Sequence, residues 1–214
     1  MTGFSRITKL DFFTMKSQFF AYLSLAATVL MFGFIGSSVT VLCITAAWFV
    51  ALMSSNIFAI QEKNNLDRLY GSVSVGLKDI VLGRYVFMFL NYLLSFIAVI
   101  VLHFGFALYQ NTAFSIIDIM LGFSLAFLVF SAITGIQMPL FFKMGYTKAK
   151  VWSLIPFIAV MVLVIIPSLV SALSGVIEFI QSHKGALMIG GILASCIIQF
   201  ISYRIAVFLY RKRK

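Results

Sequence analysis

The sequence predicts an all-α polytopic membrane protein, and three observations predict it. Apolar residues make up 62% of its 214 residues and charged residues only 10%, where a soluble domain holds roughly 45–50% and about 25%. The mean hydropathy is +1.09. The apolar residues gather into long runs without period-two alternation, which excludes a β-barrel. Such a composition also excludes disorder, because disordered chains are poor in apolar residues.

Six runs are each long enough to cross a hydrocarbon core of about 30 Å as a transmembrane helix. They cover residues 18–35, 39–60, 85–108, 116–140, 151–173 and 185–209, so residues 1–214 read as a single transmembrane domain. The first run is too long for a leader peptide and no small-residue cleavage site follows it, which predicts a retained span. Ahead of it, Phe4, Ile7, Leu10, Asp11 and Met15 follow helical spacing beside Arg6, Lys9 and Lys16. That pattern predicts an N-terminal amphipathic interfacial helix.

Orientation follows from the cations. Of the 16 Lys and Arg residues, all but Lys184 lie before the first span, between spans 2 and 3, between spans 4 and 5, or around the C-terminal end. Positive charge is retained inside, so both termini are expected in the cytoplasm. The net charge of +10 is then a property of lipid-facing loops and implies no nucleic acid partner. On the other face, Gly36, Ser37 and Ser38 predict one tight turn and Gln110 to Ser115 another. Residues 174–184 mix Val176, Ile177, Phe179 and Ile180 with Glu178 and His183. They read either as a short helix at the outer interface or as a frayed end of the fifth helix.

Within the spans, ionisable residues are nearly absent, which argues against ion-coupled transport. His103 and Asp118 lie near outer ends. Asn91, Gln137 and Gln199 read as groups that line a path or, in preference, bond between helices, and Ser131, Gly135, Gly190 and Gly191 predict close helix packing. Pro156 falls near the start of the fifth span, and Pro167 predicts a kink or an end to its straight part. Cys43 and Cys196 sit in apolar runs and give neither a disulfide framework nor a metal site.

Enzyme readings find no support. There is no phosphate-binding loop; Gly145-Tyr146-Thr147-Lys148 lacks its second glycine and its spacing. There is no H-E-x-x-H, and Gly122-Phe123-Ser124-Leu125-Ala126 lacks the last glycine of a nucleophile elbow. No catalytic residue, metal or cofactor is expected in this chain.

The segment 61–84 is not a plain connector. It holds Glu62, Asp67 and Asp79, three of the six acidic residues. Leu66, Leu69, Tyr70, Val73, Leu77, Ile80 and Val81 keep an apolar face at helical spacing through polar surroundings. Gly71 and Gly76 divide it into two short helices joined by a turn. A helix–turn–helix with a charged outer surface can dock on a soluble partner.

This run resembles the cytoplasmic loop of ABC-2 type permeases, the membrane subunits of ABC exporters. It is similar to that of small Gram-positive permeases, including those that export phenol-soluble modulin peptides. The matching residues are Glu62, Lys63, Asn64, Asp67, Arg68, Leu69, Ser72, Val75, Lys78, Asp79, Ile80, Val81, Gly83, Arg84 and Tyr85. The sequence departs at Ser74, where proline is usual, and at Gly76 and Leu77, where a polar cap and arginine are usual. The resemblance implies a bacterial plasma-membrane exporter half whose segment 61–84 acts as a cytoplasmic coupling helix. Glu62, Lys63, Asp67, Arg68, Leu69, Tyr70, Lys78, Asp79 and Arg84 would form the ATPase-coupling interface. It implies an ABC ATP-binding subunit that binds ATP and Mg, a second permease copy or related permease as dimer partner, and an amphipathic peptide as cargo. A lipid or hydrophobic drug is the alternative cargo. A non-transporting membrane scaffold or peptide-immunity protein is the alternative of another class.

Overall fold

A computed structural model describes residues 3–15, 19–66, 76–110, 115–169 and 183–213. The described residues form helices joined by short turns, with no strand among them. We number the helices α1 (Gly3–Met15), α2 (Phe19–Phe34), α3 (Val39–Lys63), α4 (Leu77–Gln110), α5 (Ile116–Met144), α6 (Tyr146–Ala149), α7 (Ile155–Leu169) and α8 (Lys184–Arg213). A 3₁₀ turn, Trp152–Leu154, leads into α7.

Among the described residues, four helices, α3, α4, α5 and α8, are long and apolar enough to cross a membrane. The first and fifth expected spans correspond to α2, of 16 residues, and α7, of 15 residues. The described part of each rises about 22–24 Å, against a hydrocarbon core of about 30 Å. A fifth crossing is reached if α1 and α2, bent by 77°, are taken as one broken span. Among the described residues, helix length thus supports an all-α membrane protein with four candidate crossings, or five, where the hydropathy runs predict six.

Local chemistry sets the helix ends. Gly36, at φ +83°, ends α2 with Gly36 N–H donating to Gly33 O at 3.0 Å and Ser37 N–H to Phe32 O at 3.1 Å. That pair of bonds is the closure that a left-handed glycine permits. Ser115 caps α5, its Oγ accepting from Asp118 N–H at 3.3 Å. Pro156 sits in the first turn of α7, where its missing N–H costs little. Pro167 lies within α7, which is described as far as Leu169.

One expected boundary is absent. The second short helix of segment 61–84 is continuous with the third span in α4, a 34-residue helix. At 1.5 Å per residue it is about 51 Å long, so roughly 20 Å of it lies beyond a hydrocarbon core. No proline interrupts it, and its two glycines, Gly83 and Gly105, cost only about 1 kcal/mol each of helix propensity.

Side-chain contacts fix the directions. Ser54 meets Gln137 and Phe58 stacks on Phe141, so α3 and α5 run the same way. Ser124, Gln199 and Arg213 place α8 parallel to α5 as well. Tyr92 packs on Phe127, and Tyr85 on Tyr203, so α4 runs opposite to all three. The C-termini of α3, α5 and α8 therefore meet the N-terminus of α4 at one end, here the basic end.

Small residues draw these helices together. Ala46, Ala47 and Ala51 of α3, and Ala126, Ser124 and Ser131 of α5, are all buried. A Cβ built on Gly191 would overlap Ser124 Oγ, which donates to Met188 O at 2.9 Å. A Cβ on Gly135 would lie 2.7 Å from Ile198 Cγ2. Ser131 is buried and accepts from Gln199 Nε2 at 3.3 Å. Three of the four predicted packing positions thus lie in the α5–α8 contact. Gly190 does not: it meets nothing within 4 Å, because it is one residue, or about 100°, around α8 from Gly191.

Asn91, Gln137 and Gln199 bond between helices. Tyr22 Oη donates to Asn91 Oδ1 at 3.0 Å, Ser54 Oγ to Gln137 Oε1 at 3.3 Å and Gln199 Nε2 to Thr134 Oγ1 at 2.8 Å. Lys184 and Asp118 pair at 2.8 Å across the other end of the bundle. Both are more than a third exposed, so the pair contributes little.

Candidate functional site

The basic end carries a clamp that joins five helices at the two described ends of segment 61–84. Its first part is α1, which lies along the opening turns of α4. A Cβ built on Gly3 would come within 2.5 Å of Asp79 Oδ2, and one on Gly83 within 2.8 Å of Ile7 Cβ and 2.9 Å of Phe4 O. Thr8 Oγ1 donates toward Gly83 O at 3.0 Å. Phe12 meets Phe87 edge-on, ring centroids 4.8 Å apart. Gly83 serves here by lacking a side chain where α1 approaches.

The face that α1 turns inward holds Phe4, Ile7, Thr8, Asp11 and Met15. Asp11 is 1% exposed and Arg84 0% exposed, and they form an ion pair at 3.4 Å. The Arg84 guanidinium also lies 4.7 Å from the centre of the Phe58 ring. A buried cation needs both kinds of partner, a charge and a polarisable face. Phe58 continues the chain of contacts. It stacks on Phe141 at 4.8 Å and meets Phe142 edge-on at 5.2 Å, and Phe142 packs on Tyr210 at 5.1 Å. Asp11, Arg84, Phe58, Phe141, Phe142 and Tyr210 thus link α1, α4, α3, α5 and α8.

A second tie closes the same end. Glu62 lies past the apolar stretch of α3, one turn beyond Phe58. Its Oε2 accepts from Tyr146 N–H at 2.6 Å and Thr147 N–H at 3.1 Å, and its Oε1 from the Thr147 hydroxyl. A carboxylate is thereby set on the opening of α6. The Thr147 hydroxyl first, then the two backbone N–H groups and the nearby Arg213, hold its carboxyl below the usual range. Gly145 makes the approach possible: φ +77° with ψ 174° is a glycine conformation. Arg213 Nη1 donates to Phe142 O at 3.4 Å, which brings the end of α8 into the same knot.

A third tie is built around Pro139 of α5. Proline has no N–H for the carbonyl four residues back, that of Gly135. Ser202 of α8 fills the gap, donating to Gly135 O at 2.7 Å. Tyr85 of α4 in turn lies 2.5 Å from Ser202 Oγ. With the serine proton committed to Gly135, the tyrosine is the donor.

The predicted coupling residues are distributed unevenly over this site. Lys63 and Lys78 are exposed. Glu62 is exposed but engaged with α6, and Asp79 is half-buried against the start of α1. Arg84 is a correction: it is fully buried and holds α1 instead of offering a docking surface. Asp67, Arg68, Leu69 and Tyr70 lie outside the described residues, as does the 174–182 stretch. Sequence reasoning missed Asp11, Phe58, Pro139, Ser202 and the Glu62–α6 contact. One signal was available for Asp11, which falls on the apolar face of α1 and not with Arg6 and Lys9.

A family model described as ABC-2 family transporter protein matches residues 7–211. The chain belongs to the ABC-2 transporter family. The ABC-2 match covers nearly the whole chain, so the clamp and the segment above it both fall inside it. This ABC-2 chain is a permease subunit of an ABC transporter, a multi-pass membrane protein whose part is transport and not catalysis. Membership implies partnership with an ABC ATP-binding subunit. No curated protein and no solved structure matches it.

The Glu62 tie has a measurable consequence. Glu62→Ala should free the first turn of α6 and raise amide exchange at Tyr146 and Thr147 about fivefold. That corresponds to the loss of about 1 kcal/mol typical of a helix cap. Because the carboxyl titrates below its unfolded value, this contribution is full above that value and fades as pH falls through the folded one. Exchange measured at neutral and acid pH should show wild type approaching the variant in acid.

Proposed function

We propose that this chain is the membrane half of an ATP-driven exporter in a bacterial plasma membrane. It crosses the bilayer six times with both termini in the cytoplasm. It pairs with a second copy or a related permease, and two ATP-binding subunits bind the ATP and Mg. Segment 61–84 is the coupling element, and the cargo is an amphipathic peptide.

What supports this reading is that both ends of segment 61–84 are tied into the helix bundle. Arg84 at one edge is held by Asp11 and Phe58, and Glu62 at the other by α6. A solvated connector needs neither anchor. A push on a segment fastened this way displaces packed helices as rigid bodies. The alternation of direction along α2, α3, α4 and α5 suits repeated crossing. The many exposed apolar side chains, such as Leu94, Ile97, Val101 and Phe104 on one stripe of α4, suit lipid and amphipathic cargo.

The test is co-purification with the ATP-binding subunit in mild detergent. Lys63→Glu, Arg68→Glu and Lys78→Glu together should lower retention about tenfold, at several tenths of a kcal/mol per rim charge. Unchanged retention sinks this docking surface. Cargo movement in vesicles lacking any ATPase sinks the exporter reading, and a stable ATPase-free complex with a peptide favours the scaffold.

A further inference from the structure

We propose that the groove between α1, α2 and α4 binds one anionic phospholipid from the leaflet at the basic end. The groove measures 610 Å³, within the size class of ligand pockets. Phe12 and Met15 of α1, Leu25 of α2 and Leu94 and Ala98 of α4 line it. Its polar wall groups are already bonded, Tyr22 to Asn91, Asn91 to Phe87 O and Ser95 to Tyr92 O, so they leave an apolar trough suited to an acyl chain.

Charge selects the headgroup. The exposed face of α1 carries Arg6 and Lys9, then Phe12 and Phe13, 38% and 67% exposed. Lys9 lies one turn, about 6 Å along the helix axis, from Phe13. One face therefore passes from cationic to aromatic over two turns and ends at the mouth of the groove. The one acid of α1, Asp11, is turned inward onto Arg84 and does not offset these cations. Depth agrees. The Asp11–Arg84 pair sits where the apolar stretch of α4 begins, and the groove runs from Asn91 to Ala98 farther into the hydrocarbon. A phosphate at Arg6 and Lys9 thus places its acyl chain beside Tyr22, Leu25 and Leu94.

The inference does not depend on ATP or cargo, and its test reads lipid retention alone. The full chain, purified in detergent, is titrated with phosphatidylglycerol or with phosphatidylcholine of the same acyl chains, and bound lipid is counted by native mass spectrometry. One phosphatidylglycerol should be retained per chain in preference to phosphatidylcholine. Arg6→Gln with Lys9→Gln should weaken phosphatidylglycerol about 30-fold, at about one tenfold step per 1.4 kcal/mol and about 1 kcal/mol per cation. Ala98→Trp, which fills the trough, should remove both lipids; Ala26→Trp fills it from the opposite wall and serves if the first variant elutes as aggregate. Equal retention of the two lipids by wild type, or undiminished retention in a well-folded filled variant, overturns the proposal.

Discussion

Asp11→Ala should lower the folding stability of this permease by about 3–5 kcal/mol, the cost of leaving a buried charge without its partner. Arg84 is 0% exposed and cannot swing out to water from beneath Phe58 and α1. Arg84→Met should cost a similar amount near neutral pH. The two single variants should part company in acid. The carboxyl left by Arg84→Met can take up a proton and lose its charge, so its penalty shrinks as pH falls. The guanidinium left by Asp11→Ala has no such exit. The double variant Asp11→Leu with Arg84→Met should recover most of the loss, because a packed apolar pair can replace a buried ion pair at little cost. Thermal unfolding in detergent across pH measures all three. A single variant as stable as wild type would mean that α1 is not fastened here.

Ser202→Ala should cost about 1–3 kcal/mol, because it orphans two groups at once. Gly135 O loses the donor that replaces the missing Pro139 N–H, and Tyr85 Oη loses its acceptor. In hydrocarbon neither can turn to water. Much of this penalty should vanish when Pro139→Ala is added, since residue 139 then supplies the N–H that Gly135 lacks. The coupling between the two substitutions, read from a double-mutant cycle of unfolding curves, should be at least about 0.6 kcal/mol, the average for one interhelical bond in a membrane protein. Strict additivity would show that Ser202 does not serve the proline gap.

These two networks mark where sequence reading stopped. Asn91, Gln137 and Gln199 were readable as bonding groups because a polar side chain in a span has few other options. Their partners, Tyr22, Ser54 and Thr134, were not, because hydroxyl residues are common in spans and carry no register. Gly190 and Gly191 show the same limit. Both are small and adjacent, and only the rotation of α8 against α5 decides which meets Ser124. Arg84 looked like one more loop cation because the charge count cannot tell a snorkelling residue from one that α1 covers.

By itself the sequence determined the membrane class, the main helices, the gathering of cations at chain segments that the fold brings to one end, and the family. Those follow from composition, run length and local motif, which need no knowledge of neighbours. The tertiary structure alone decided that α1 is a strap on α4, that Glu62 closes α6, and that Ser202 answers Pro139. A helix apolar all round gives no moment to aim it. Which face packs is therefore settled by partners 60 to 85 residues away in the chain, where a buried charge or a missing N–H finds the one group that satisfies it.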